Sequence, residues 1–219
     1  ASDVYKRQVW VGGGTSSDNL FLQKMSNYAS TQNPGDALTG IWDQSYKGIR
    51  NANDVLTYLE WAKAALTQAD YNTFMAEAKV LRAFYYMQVW KFYGNIPFYF
   101  ENLKSPYIGE QKSADEVYEA VIKDLETAID LNALPMKWDD KNLGRMSQAA
   151  AYMIYAEMVM YQNDESRYAK ALSYMQEIIN DKQDYDLNPD YANIFLESGE
   201  WTKESIFELS LIHISEPTR

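Results

Sequence analysis

The sequence predicts a mainly all-α fold: antiparallel helical hairpins stacked side by side, with irregular loops and a short C-terminal strand. Three observations predict it. Apolar residues recur at three- and four-residue spacing in five separate segments, which lines one face of a helix. Residues that start and stop helices flank those segments. Short connections between successive segments make neighbours run antiparallel.

The stretch VWVGGGTSSDNLF, residues 9–21, reads as loop, because glycine and short polar side chains favour turns. Gly12-Gly13-Gly14 lacks the following Gly-Lys-Ser/Thr that a phosphate loop needs. A first helix is expected over 36–65, faced by Ile41, Trp42, Tyr46, Ile49, Ala52, Val55, Leu56 and Leu59. A second is expected over 69–93, with a stripe of Phe74, Ala78, Leu81, Tyr85, Val89 and Phe92. Gly94 suits the left-handed position after its last turn, and Pro97 prevents resumption.

A crossing loop follows, with a short strand expected at 98–100. Ser113 and Glu116 have the spacing of a capping box. They open a third helix to about residue 131, faced by Val117, Val121, Leu125, Ala128 and Ile129. A fourth helix begins at Ser147 and runs to about Gln162. Its small residues Ala149, Ala150, Ala151 and Ala156 permit close approach and make it the central one. Met153, Met158 and Met160 read as packing filler. A fifth helix over 167–181 carries Leu172, Met175, Ile178 and Ile179, and a strand is expected at 205–208. Each hairpin buries its face only against a neighbour, which is the physics of tetratricopeptide arrays, although no clean repeat of about 34 residues is present.

Composition narrows the function. The formal charge is −11, which disfavours binding to nucleic acid or anionic lipid. With no cysteine, disulfides, thiol catalysis and cysteine–zinc sites are excluded from these residues. No apolar run is long enough to span a bilayer. The one histidine, His213, lies in LSLIHISEPTR at the end of the chain. Asp3–Gln8 back-translates to GAT GTG TAT AAG AGA CAG, whose reverse complement encodes Leu209–Ile214 in order. Such an inverted repeat resembles a transposon-end library adapter. Residues 1–8 and 209–219 are therefore read as adapter-derived scars around one domain, 9–208, and His213 as no functional residue.

Trp42-x3-Tyr46-x2-Ile49-x2-Ala52-Asn53, followed by AEAKVLRAFYYMQVWKFYGNIPF, resembles the signature of the SusD/RagB family. SADEVYEAVIKDLETAIDLNALP, Gly144-Arg145-x-Ser147, YDLNPDYANIF and ESIFEL follow in the family's order. The resemblance covers residues 36–208. It implies the tetratricopeptide-like N-terminal half of a surface nutrient-binding lipoprotein of the outer membrane. Such a protein captures oligosaccharide or peptide and hands it to a SusC-like TonB-dependent transporter, without bond chemistry and without metal or cofactor. The lipid-anchor cysteine and the C-terminal half are implied by the family and are not in this sequence.

In the family, the segment before the first helix commonly contributes ligand contacts, which here is residues 10–33. Within it Asp18 and Asn19 are the expected hydroxyl partners, and Trp10 and Phe21 the expected stacking faces. Glu77 and Arg82 on the second helix are expected to form structural pairs, with Asp43 or Asp54 as candidate partners for Arg82. Two rival readings are a tetratricopeptide-type protein-interaction scaffold and a helical glycosidase. The latter requires two converging carboxyl groups, one with a raised pKa.

Overall fold

A computed structural model gives the structure, and it describes residues 23–24 and 39–208. The chain divides into two compact units, Ala1–Asp43 and Gln44–Arg219. The second is described below, together with the helix that leads into it.

Five helices form within residues 39–208: α1 Thr39–Ala62, α2 Gln68–Tyr93, α3 Ala114–Asp130, α4 Gln148–Gln162 and α5 Tyr168–Asn180. A 3-10 turn, Lys63–Ala65, ends the α1 segment, and another, Glu165–Arg167, leads into α5. The boundaries follow local chemistry. The Thr67 hydroxyl accepts from the Asp70 amide at 3.1 Å and starts α2. The expected capping box starts α3: the Glu116 amide donates to Ser113 Oγ at 3.3 Å, and the Ser113 amide donates to Glu116 Oε2 at 2.9 Å. Ser147 caps α4 through the Ala150 amide, 3.2 Å away. Gly94 ends α2 with φ +69° while its N–H donates to Trp90 O at 2.9 Å, a backbone conformation glycine adopts without penalty.

The core sits between α2, α3 and α4. Helix α2 packs along α3, α3 against α4, and α4 against α5, and α2 also touches α4, so α4 is central as expected. All five residues expected to face the core from α3 are buried, as are Ala149, Ala150 and Ala151 of α4. Burial of one such Leu or Val side chain is worth about 1.5–3 kcal/mol. Trp90 adds a directed contact, its indole N–H donating to Ala114 O at 3.0 Å.

Several expectations are corrected. The short strand lies at β1 Ile96–Pro97, paired antiparallel with β2 Gln111–Lys112, not at 98–100. Only Phe98 continues the ladder, its N–H donating to Glu110 O at 3.0 Å. Tyr99 and Phe100 give their backbone groups to side chains of α2 instead. The Tyr86 hydroxyl donates to Tyr99 O at 2.5 Å and accepts the Tyr99 N–H at 3.0 Å. Phe100 O accepts from Arg82.

No strand forms at 205–208, where the Glu208 carboxylate accepts the Trp201 N–H at 3.0 Å. The α2 stripe is only partly core. Ala78 and Val89 are buried and Leu81 and Tyr85 half-buried, whereas Phe74 and Phe92 are exposed. Buried residues of α2 extend around more than half of the helix and include Tyr71, Val80, Ala83, Tyr86 and Trp90. Of the methionines, Met158 is filler, while Met153 and Met160 are exposed. On α5 the buried side carries Ala171, Tyr174 and Ile178, leaving Leu172 and Ile179 outside.

Candidate ligand-binding surface

Trp10, Asp18, Asn19 and Phe21 lie outside the described residues, as does His213. The surface is therefore built from α1, α2 and the loops that cross them.

Helix α2 carries two charges that sequence singled out, and both are structural. Arg82 is 4% exposed. Its Nε and Nη2 donate to Asp124 Oδ2 at 3.0 and 2.7 Å, and its Nη1 donates to Asn53 Oδ1 at 2.8 Å and Phe100 O at 3.1 Å. The guanidinium lies 4.1 Å from the centre of the Phe100 ring. Lys79 also pairs with Asp124. The partner is thus Asp124 of α3, not Asp43 or Asp54. The reason is the packing of α2 on α3, which brings an acid from the apolar face of α3 under Arg82. A signal was available: Asp124 sits among Val117, Val121, Leu125 and Ala128, where an unpaired carboxylate would be costly.

Glu77 receives a fork from Arg145, Nε to Oε1 at 2.8 Å and Nη2 to Oε2 at 2.7 Å. Arg145 also covers the Trp138 ring at 4.0 Å, and the hydrogen bond to Glu77 raises its pKa. This ties the α3–α4 connection to α2.

Between α1 and α2 runs a groove of about 520 Å³. Gly48, Ala52 and Val55 form one wall, Phe74, Leu81 and Tyr85 the other, and the Glu77–Arg145 pair stands at its edge. A Cβ on Gly48 would lie 2.3 Å from the Tyr85 ring, so glycine permits the approach of the helices there. The lining is predominantly apolar, suited to hydrophobic side chains more than to a hydroxyl-rich ligand. On the outer side of α1, Tyr58 and Trp61 meet edge to face at 5.1 Å and both are exposed.

The glycosidase reading asks for a carboxyl group held protonated. Where surroundings move a carboxyl among the described residues, the shift is downward: Glu116 through Ser113, Asp164 through Ser166 and Arg167, and Asp186 through Lys182. These three are held ionised and cannot donate a proton near neutral pH. Among the described residues no group of three or more acids or histidines is arranged to hold a metal, and no helix is long and apolar enough to cross a membrane.

Comparison with known proteins gives a consistent result. A protein family described as starch-binding and associating with the outer membrane matches residues 6–160. The structure is similar to surface glycan-binding protein A from Bacteroides uniformis, with 44% identity and TM-score 0.86, over 95% of this chain and 46% of that one. It is similar to surface glycan-binding protein A from Bacteroides thetaiotaomicron in complex with laminarihexaose, with 46% identity and TM-score 0.82, over 90% of this chain and 40% of that one. SusD-like protein P25 of Formosa agariphila is 27% identical over 196 residues, 86% of this chain and 36% of the relative. The chain thus spans less than half the length of each of these relatives.

Proposed function

This chain belongs to the SusD-like family, which associates with the outer membrane, and from that premise we propose that the protein carrying it captures glycan at the cell surface. The ligand class we assign is the laminari-oligosaccharides. The observation that carries this is the 46% identity to a protein solved with laminarihexaose bound. The protein is a binder that performs no bond chemistry, and it delivers its ligand to a SusC-like TonB-dependent transporter.

The physical picture supports that division of labour. The helical hairpins are held by buried aromatic rings and by the Arg82–Asp124 pair, so they form a rigid frame. Ligand groups then belong on loops and outer faces, where ordering them costs the frame nothing. The scaffold reading, a protein partner in a helical groove, has the apolar groove between α1 and α2 in its favour. A transporter-facing or intramolecular use of that groove is compatible with glycan capture.

The test is isothermal titration of the full-length protein against laminarihexaose, maltohexaose and a peptide panel, with chromatography of the mixture afterwards. We expect saturable binding of laminarihexaose and no shorter products. Hydrolysis by the purified protein, or binding to peptides alone, overturns the reading.

A further inference from the structure

Trp61 is 76% exposed and Tyr58 57% exposed, on the last turns of α1. Large aromatic side chains lose free energy when left in water, so a pair of them on an outer helix face needs a reason. The buried side of α1 carries Ile49, Ala52, Asn53 and Leu59. Asp54, Tyr58 and Trp61 follow at four- and three-residue steps and share another face. They are therefore not part of the stripe that glues α1 to its neighbours.

The chemistry of this patch is specific. Neither the Trp61 indole N–H nor the Tyr58 hydroxyl has a protein partner among the described residues, so two donors stand free beside two ring faces. One turn earlier, Asp54 Oδ1 accepts from Asn102 Nδ2 at 2.7 Å, and that same nitrogen donates to Arg50 O at 3.0 Å. Asn53 Nδ2 donates to Asn102 Oδ1 at 3.3 Å. Asn102 is thereby fixed against α1, and Asp54 keeps its second oxygen free among the described residues. Along the helix axis Asp54 lies about 6 Å from Tyr58 and about 10.5 Å, two turns, from Trp61.

Leu187, Tyr191, Phe195 and Leu196 in the tail are exposed as well. Around Tyr58 and Trp61, Thr57 and Glu60 of α1 and Lys63 of the turn that follows are exposed and polar, and Val55, one turn before Tyr58, is the exposed apolar neighbour. An exposed indole face with a fixed carboxylate on the same side of the helix fits a ligand that is apolar on its ring face and hydroxylated at its edge.

We propose that Trp61 supplies a stacking face for a sugar ring on the outer face of α1, with Tyr58 standing edge to face beside it and the second oxygen of Asp54, which Asn102 holds in place, accepting from a sugar hydroxyl. This rests on the glycan-capture reading and adds residues of α1 to those expected ahead of it.

The experiment compares full-length wild type with Trp61→Ala and Trp61→Phe by titration against laminarihexaose and laminarin. A melting curve on each variant serves as control. Because Trp61 is exposed, melting stays unchanged. We expect Trp61→Ala to weaken laminarin binding about tenfold, equivalent to about 1.4 kcal/mol, and Trp61→Phe to recover most of it. Equal affinity of wild type and Trp61→Ala for both glycans overturns the platform and leaves glycan capture standing. Absence of any glycan binding by wild type overturns glycan capture, and the platform with it.

Discussion

Helices α3 and α5 are both amphipathic, and the structure treats them differently. Every apolar position expected to face inward from α3 is buried. On α5, Ile178 is buried while Leu172 and Ile179 stand in water. The charges differ in the same way. Asp124 of α3 is enclosed with Arg82, whereas Lys170 of α5 meets Glu126 with its side chain 40% exposed. The periodicity of a segment tells which residues can share a face. Whether that face is covered depends on how many neighbours the helix has, and α3 has a helix on each side while α5 has mainly α4.

The comparison can be broken most forcefully at the buried ion pair. Replacing Arg82 with alanine leaves Asp124 enclosed with only Lys79 to compensate it, and should cost about 3–5 kcal/mol in chemical denaturation. A loss below about 1 kcal/mol would place Asp124 in a wet site and erase the contrast with Lys170. The next test is a matched pair. Leu125→Ala should destabilise by about 2–5 kcal/mol, and Leu172→Ala by no more than about 0.5 kcal/mol. Similar costs for the two would mean that α5 is covered as fully as α3.

The smallest effect sharpens the comparison at the point where the two helices meet. Asp164 accepts from Ser166, from Arg167 and, at 2.9 Å, from the Tyr118 hydroxyl of α3, and its pKa is held well below the usual carboxylate range. Its contribution is therefore complete above the unfolded pKa of about 3.9 and is lost as the pH falls through the lower folded value. Melting temperature measured from pH 6 down to pH 2 should fall less steeply in Asp164→Asn than in wild type. Parallel curves would show that other carboxylates carry the acid limb.

What could be read in the sequence was what is decided locally. The Ser113–Glu116 box, the Gly94 stop and the α3 face each depend on residues within a turn or two, and all three form as expected. The partner of Arg82 was missed because Asp124 lies 42 residues away and becomes a neighbour only once α2 packs on α3. The expected strand at 205–208 failed for a related reason. A strand needs an edge to pair with, and residue composition does not supply one. The expected contacts Trp10, Asp18, Asn19 and Phe21 remain a proposal. The aromatic pair on α1 went unnoticed because Tyr58 and Trp61 sit within a helix, where ring residues are ordinarily taken as core.

Beyond α5 the chain has little regular structure, and Lys137 holds it to the body. Its ammonium donates to Asp184 O at 3.3 Å and Thr202 O at 3.0 Å and lies 5.1 Å from the centre of the Tyr185 ring. The Tyr185 hydroxyl donates in return to Met136 O at 2.8 Å, and burial pushes that phenol up to about 12. This latch grips peptide carbonyls, which every amino acid offers. The hydrogen bonds of the anchor thus depend on the side chains of Lys137 and Tyr185, and at position 202 they ask for a peptide group and no particular side chain.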